Sequence, residues 1–249
     1  MQKIVKYSFY FGIFICLFAI ILILTTNAYL KPSLPKVKLV DEAELQMPLK
    51  VYTKDGILIG EFGEIKRRSI TFTEIPENIK NAFLAAEDDN FFNHQGISYT
   101  GLIRSFIRCL RPSGCEGGGG TITMQVVRGY LLTREQTVIR KIKEIFLALE
   151  LEGNLEKEEI FELYVNRIFL GNRSYGIEAA ANTYFDKNIK ELSISESATI
   201  AALAQLPSRV NPVKDPRRTK LRRNWILSRM LLLGYIDAVS YTHLRAHET

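Results

Sequence analysis

The chain has 249 residues, 47% of them hydrophobic and 24% charged, and a formal net charge of +6. This length suits one large domain or two small ones, and the apolar content is that of a globular protein. The positive charge suits an anionic membrane surface or a phosphate-bearing substrate, and no recognised nucleic-acid-binding motif accompanies it, so nucleic acid is not a predicted partner.

The N-terminal part predicts a membrane anchor. Residues 7–30 contain no charged side chain, and Phe, Ile and Leu dominate through Leu24. A transmembrane helix needs roughly 20 such residues, and no convincing signal-peptide cleavage site is present. We therefore predict a cytoplasmic tail (1–6) and an uncleaved anchor (7–30). Lysines flank both ends, so charge alone does not decide the orientation.

The cysteines leave two readings open. Cys16 lies in the predicted anchor, whereas Cys109 and Cys115 flank a turn-rich segment. Outside the cytoplasm these two either form a small loop disulfide or remain free thiols. Their spacing is not that of a metal site.

A juxtamembrane linker (31–48) rich in Pro and Lys precedes a small β element. Runs of β-forming residues at 51–53 and 57–59 flank an Asp-Gly pair, which predicts a hairpin. A third β-type run follows at 69–72. We assign this element to packing or to a lid.

From Pro76 onwards the periodicity is helical, so the fold class is mostly α. Capping boxes begin two of the predicted helices, and an Asp-Pro pair begins another. The predicted helices span about 133–151, 155–169, 193–206 and 215–234. The basic stretch 217–223 is interpreted as a solvated helix face that touches anionic lipid.

An acidic cluster ends an amphipathic run. Ile79, Phe83 and Ala86 recur at helical spacing and place Glu87 near the last turn of a helix, directly before Asp88. The helix C-terminus carries partial negative charge, and neighbouring acids raise one another's pKa. The pattern suits a general base; the alternative is a solvated acidic helix end.

Two further segments are ambiguous by themselves. The glycines at 117–120 are either a flexible linker or a loop that lets backbone amides approach an anion, and the segment lacks the Lys-Ser/Thr ending of a Walker loop. Arg140, Lys141 and Glu144 share a helix face. They form either a surface ion-pair ladder or a cationic face for a diphosphate, with Glu144 orienting the basic side chains or binding a cation.

Taken together, the segments 87–96, 118–125, 140–144 and 162–171 resemble the ordered motifs of the glycosyltransferase domain of class A penicillin-binding proteins and the related monofunctional peptidoglycan glycosyltransferases, glycosyltransferase family 51. The resemblance implies a lysozyme-like glycosyltransferase domain over 49–237, with a membrane-dipping lobe near the glycines. It also implies one transmembrane helix in the bacterial cytoplasmic (inner) membrane, with the catalytic domain on the extracytoplasmic side.

The resemblance further implies that the protein polymerises lipid II into glycan strands, with inversion and release of undecaprenyl diphosphate. Glu87 is then the general base on the acceptor 4-hydroxyl, and Glu144 is the second catalytic carboxylate. Cations suit the anionic leaving group better than a proton donor does. The predicted substrate-binding residues are Asp88, Phe91, His94, Gly118, Thr121, Gln125, Arg128, Arg140, Lys141, Tyr164 and Asn166. Within this set, Asp88 and His94 orient Glu87.

The resemblance implies no covalently bound cofactor and no protein-held metal, and Mg²⁺ or Mn²⁺ is the candidate divalent cation. The predicted partners are lipid II, the growing glycan chain, the membrane and other cell-wall synthesis proteins.

The sequence departs from the family at several positions. Gly120 stands where serine is usual, Met124 where glutamine is common, and Asp186 where glycine is usual. Residues 238–249 do not fit the family, and we interpret them as a non-native tail. The transpeptidase domain of class A proteins is missing, as in either a monofunctional enzyme or a truncated chain.

Two other functions remain as alternatives. A lysozyme-like glycan-cleaving enzyme explains Glu87 but neither the Arg140-Lys141 face nor the anchor. A non-catalytic membrane scaffold is motivated by Gly120 and Met124.

Overall fold

The computed structural model describes residues 10, 25, 34–35, 49–55, 58–62, 70–103, 120–132, 137–207 and 209–246. These residues are mostly helical, which confirms the main feature of the predicted fold class. The strands are β1 (Leu49–Tyr52) and β2 (Leu58–Phe62). The α-helices are α1 (Glu77–Glu87), α2 (Ile122–Tyr130), α3 (Val138–Glu152), α4 (Lys157–Arg167), α5 (Ile177–Phe185), α6 (Ile194–Leu203), α7 (Pro216–Leu232) and α8 (Ala238–Ala246).

The two strands β1 and β2 pair antiparallel, with Tyr52 opposite Leu58. The third β-type run does not form a strand within the described residues. The backbone of Ile70 has no regular secondary structure, and Phe72 begins a 3₁₀ turn. The side chain of Asn166 occupies both backbone groups of Ile70: its Oδ1 accepts from the Ile70 N–H at 3.0 Å, and its Nδ2 donates to the Ile70 carbonyl at 2.8 Å. With both groups satisfied in this way, Ile70 has none left for a strand ladder.

Two helix starts lie where the capping signals predict them. Ser193 caps α6 in a reciprocal capping box with Glu196. Asp215 caps α7, and Pro216 occupies the first turn, where its missing N–H costs no hydrogen bond. Local side-chain chemistry therefore sets these two starts.

Helix α3 begins later than predicted. Its N-cap is Thr137, whose hydroxyl accepts from the Arg140 N–H at 3.1 Å, and the first helical residue is Val138. The predicted capping box at 133–136 lies outside the described residues, and a start there is wrong for this helix. The predicted end is confirmed, since Gly153 follows the last helical residue.

The core joins the helices into one body around α1. Helix α1 packs against α6 and α7, and α2 packs against α3 and α4. Phe83, Phe91 and Phe161 are fully buried, and the rings of Phe91 and Phe161 lie 6.1 Å apart. Truncating such a ring to alanine costs roughly 3–5 kcal/mol, so the C-terminal end of α1 and the loop behind it are held firmly.

The predicted membrane anchor is not tested by this structure. No helix in the part of the chain that the structure describes is long and apolar enough to cross a bilayer. Apart from Tyr10 and Thr25, residues 7–30 lie outside the described residues, and so do the three cysteines.

Residues 238–246 form helix α8, which packs on α7. Tyr241 and Leu244 of this helix lie against the hydrophobic core. Helix α8 begins at Ala238, where the predicted tail begins. Its non-native origin stays a prediction.

Candidate active site

Glu87 is the last residue of α1, as predicted, and its side chain is partly buried. The Gln125 side chain, from α2, donates through Nε2 to Glu87 Oε2 at 2.8 Å. A single hydrogen bond leaves the remaining lone pairs of the carboxylate free to accept a proton. Gln125 therefore orients this carboxylate without blocking it.

The pKa of Glu87 lies above its ordinary value, mainly because burial penalises the charged form. The Gln125 hydrogen bond and the charges of Arg222 and Arg128 oppose this rise, and the charge of Asp88 adds to it. The predicted direction is therefore confirmed. The predicted cause was incomplete, since desolvation outweighs the neighbouring acid.

Asp88 connects α1 to the start of α2. It is buried, both its oxygens lie 3.0 Å from His94 Nε2, and Oδ2 accepts from the Ile122 N–H at 3.1 Å. A carboxylate at a helix N-terminus is favoured by the helix dipole. Because α2 carries Gln125, the His94–Asp88 pair acts on Glu87 by fixing the helix that holds its donor.

Thr121 reinforces the same junction. Its hydroxyl caps α2 by accepting from the Met124 N–H and donates to the Gly96 carbonyl. Gly96 has φ +75°, and a Cβ there would lie 2.8 Å from the Ala148 carbonyl oxygen. Only glycine fits this close approach. The Thr121 hydroxyl therefore joins the Gly96 turn to the start of α2.

Glu144 holds two basic side chains at the other wall. Its side chain is 1% exposed, with Lys141 Nζ 2.8 Å from Oε2 and Arg128 Nη1 3.9 Å from Oε1. Lys141 and Arg128 are 38% and 48% exposed, so their charges face solvent while Glu144 does not. Glu144 therefore acts through these cations and has no surface with which to touch a ligand.

Glu87 and Gln125, which are hydrogen-bonded to each other, line two different cavities. The larger, about 710 Å³, is lined by Gln125 and by basic and aromatic side chains that include Arg128, Arg140 and Arg167. The smaller, about 290 Å³, is lined by Glu87 together with Gly120 and Trp225. One cavity is cationic and the other carries the carboxylate, so the site separates an anion-binding region from a region served by a base.

The structure does not bring every predicted residue to a cavity. Phe91 is fully buried in the core, and Asn166 is buried with its amide hydrogen-bonded to Ile70. Their binding of substrate stays a prediction. Gly118 lies outside the described residues. His94 serves Asp88 through its Nε2.

Tyr164 is buried, yet it lines the larger cavity. Its hydroxyl has no hydrogen-bond partner among the described residues. Burial raises its pKa well above the ordinary value, and the charge of Glu87 raises it further. Tyr164 is thus a neutral donor beside the carboxylate.

The departures from the family pattern have local explanations. Met124 is fully buried, so it replaces glutamine at a position that faces the core. A Cβ at Gly120 would lie 3.8 Å from Lys141 Nζ, which leaves room for a serine. Asp186 ends α5 with φ 52°, a left-handed conformation that favours glycine and that Asp tolerates.

Sequence reasoning missed the contribution of α7. The stretch 217–223 is only partly the solvated face that was predicted, because Arg223 is buried and Arg222 reaches the end of α1. Trp225 and Arg229 line the smaller cavity. The i, i+3, i+7 spacing of Arg222, Trp225 and Arg229 marks one helix face, but nothing local indicates what that face contacts.

The residues that the structure describes offer no ready site for a resident divalent cation. Within the described residues, no group of three His, Cys, Asp or Glu side chains is arranged to hold a metal ion. Asp88 is committed to His94 and Ile122, and Glu144 to Lys141 and Arg128. A ligand set for a metal is therefore lacking in this part of the chain.

Comparison with known proteins gives consistent matches. A family model described as Transglycosylase matches residues 55–231. Penicillin-binding protein 1A of Pseudomonas aeruginosa is 54% identical over 213 residues, which cover 86% of this chain and 26% of that protein. Penicillin-binding protein 1A of Escherichia coli is 40% identical over 244 residues, which cover 98% of this chain and 29% of that protein.

The chain thus spans 26% to 29% of the length of these two relatives. A crystal structure of penicillin-binding protein 1A from Haemophilus influenzae is also similar, at 33% identity. The match covers 83% of this chain and 21% of that one, with a TM-score of 0.49.

Proposed function

Because the chain belongs to the transglycosylase family, as its motifs predicted, we propose that it is a peptidoglycan glycosyltransferase that polymerises lipid II into glycan strands. The observation that carries the proposal is the position of Glu87. This carboxylate, with its raised pKa, lines the smaller cavity, and its hydrogen-bond partner Gln125 lines the larger cavity together with arginines. Inverting glycosyl transfer from a diphosphate donor needs a base on one side and cations on the other.

In the proposed reaction, Glu87 removes the proton from the 4-hydroxyl of the acceptor sugar. The oxygen forms a bond to the anomeric carbon of the lipid-linked donor chain as the bond from that carbon to the diphosphate oxygen breaks. The electron pair leaves with undecaprenyl diphosphate, and the configuration at the anomeric carbon inverts. A raised pKa makes the ionised Glu87 carboxylate a stronger base.

The leaving diphosphate is already anionic, so it needs compensating charge and no proton. Arg128 and Arg140 line the larger cavity, and Glu144 contacts both Lys141 and Arg128. Cations that are positioned before the reaction stabilise developing charge without reorganisation. Glu144 contributes by keeping Arg128 and Lys141 in place.

The proposed substrate also implies where the protein works and what it works with. Lipid II is membrane-bound, so the protein works at the extracytoplasmic face of the bacterial inner membrane, anchored by residues 7–30. The growing glycan chain and other cell-wall synthesis proteins are its proposed partners. Mg²⁺ or Mn²⁺ would accompany the diphosphate of the substrate, with no site of its own among the described residues.

Polymerisation of fluorescent lipid II by the detergent-solubilised chain tests this proposal. We expect long glycan and free undecaprenyl diphosphate from the wild type. Glu87→Gln keeps the hydrogen bond geometry but removes the base, and we expect a rate loss of about 10²–10⁴-fold. Glu158→Gln is the matched control, since Glu158 is an exposed carboxylate in the first turn of α4, and its rate should equal that of the wild type.

Two outcomes would contradict the proposal. Soluble muropeptides released from purified cell wall, with no polymer from lipid II, would identify a glycan-cleaving enzyme. Equal behaviour of the wild type and Glu87→Gln in every assay would favour a scaffold.

A further inference from the structure

One face of α7 is built around an aromatic ring between two arginines. Arg222 Cζ lies 4.0 Å from the centroid of the Trp225 ring, and Arg229 Cζ lies 5.8 Å from it. A guanidinium group that stacks on a tryptophan ring is attracted to the face of the ring, which restricts its position. We call Arg222, Trp225 and Arg229 the α7 clamp.

The α7 clamp contacts the chain on both sides of Glu87. Arg222 Nη2 donates to the Ala86 carbonyl at 3.4 Å, across 136 positions of sequence. Arg229 Nη2 pairs with Asp89 Oδ2. The residue before Glu87 and the second residue after it are therefore tied to the same helix face.

Negative charge accumulates at the C-terminal end of α1, where Glu87 lies. The last carbonyls of α1 carry partial negative charge, and Glu87 adds a full negative charge at the same end. Arg222 brings a cation to one of these carbonyls. Burial lowers the pKa of Arg222, and the charge of Glu87 opposes that change.

Other charged and titratable groups also act on Glu87, and they come from several segments of the chain. Asp88 follows it in the chain, Arg128 comes from α2 and Tyr164 from α4. Arg128 is shared with Glu144. Arg222 has no carboxylate partner among the described residues.

We propose that Arg222, stacked on Trp225, is a positioning residue that holds the end of α1 and presents Glu87 to the acceptor hydroxyl in its ionised form. This inference rests on the proposed glycosyl transfer for its catalytic meaning. Arg222 itself touches the α1 backbone and not the reacting atoms.

The test is the pH dependence of kcat/KM for lipid II polymerisation by the full chain. In Arg222→Met the acid limb moves to higher pH, because a cation that favours the carboxylate has gone. We expect a loss of roughly tenfold or more on the acid side, with recovery towards alkaline pH. Arg222→Lys keeps the charge but not the planar stack, so its acid limb lies between those of wild type and Arg222→Met.

Arg217→Met is the matched control, since it removes one charge from the exposed side of the same helix. Its profile should overlay that of the wild type. Circular dichroism and thermal unfolding confirm that each variant is folded. An Arg222→Met profile that parallels the wild type at uniformly lower rate would overturn the role of Arg222 in keeping Glu87 ionised.

A second readout does not depend on activity. The Glu87 carboxyl carbon is followed by ¹³C NMR in glutamate-labelled protein and assigned with Glu87→Gln. We expect its titration midpoint to rise in Arg222→Met, and an unchanged midpoint would overturn the inference. Absence of polymerisation by the wild type, with the shifted midpoint, would instead refute the proposed function and leave the electrostatic role of Arg222 standing.

Discussion

Replacing Glu144 by glutamine separates the stability of the site from its activity. Gln keeps the size and one acceptor of the side chain, while the negative charge between Lys141 and Arg128 is removed. Glu144 is 1% exposed, so its charge has lost nearly all hydration. Lys141 and Arg128 are each more than one-third exposed, and water can solvate them once they are released.

These exposures determine the expected magnitudes. Removing a fully buried partner costs about 3–5 kcal/mol only when the other charge is left buried. Here the exposed cations regain hydration, and the desolvation cost of Glu144 disappears. We therefore expect the free energy of unfolding to change by less than about 1 kcal/mol. Two cations lose their orientation towards the leaving group, which lowers kcat/KM by about 10²–10³-fold.

The assay pairs urea denaturation with lipid II polymerisation. Glu196→Gln is the matched control: Lys187 Nζ lies 2.7 Å from Glu196 Oε1, and Lys187 is 41% exposed. This pair resembles Lys141–Glu144 in contact distance and in lysine exposure. It differs because Glu144 also contacts Arg128, which lines the larger cavity, whereas Lys187 lines neither cavity. Glu196→Gln should polymerise lipid II at the wild-type rate. Glu144→Gln with near wild-type kcat/KM, or with activity lost only in proportion to unfolded protein, would refute the reasoning.

Two further predictions concern the base and the support behind it. Gln125→Leu removes the hydrogen-bond donor that lowers the pKa of Glu87, so we expect this pKa to rise further. The acid limb of the kcat/KM profile should then move to higher pH, and an unmoved limb would argue against the hydrogen bond. Asn166→Ala leaves the buried N–H and carbonyl of Ile70 unpaired, and urea denaturation should show a loss of about 1–3 kcal/mol for each group that finds no water. If Asn166 instead binds substrate, KM would rise with stability unchanged.

Helix boundaries and the position of Glu87 were accessible from sequence because they depend on local chemistry. Ser193 and Asp215 cap helices through hydrogen bonds that span a few residues. The periodicity of Ile79 and Phe83 identifies the buried face of α1 and so locates Glu87 at its end. Thr137 shows the limit, since a capping signal specifies a helix start only when no competing cap lies nearby.

The roles of several motif residues were not accessible in this way. Phe91 and Asn166 belong to motifs that carry the family resemblance, yet Phe91 packs in the core and Asn166 holds Ile70. A motif records that a residue type recurs. Whether that residue supports the site or touches a ligand depends on which neighbours cover it.

The sequence by itself determined the family, the helical class and a carboxylate at a helix terminus, because caps, periodicity and motif order are read along the chain. Tertiary packing decided how strongly Glu87 is desolvated and which cations oppose that effect. Arg222 reaches Ala86 from 136 positions away, and Glu144 is buried while its cationic partners are exposed. Burial and charge act through space, so only the packed helices determine the protonation of the base.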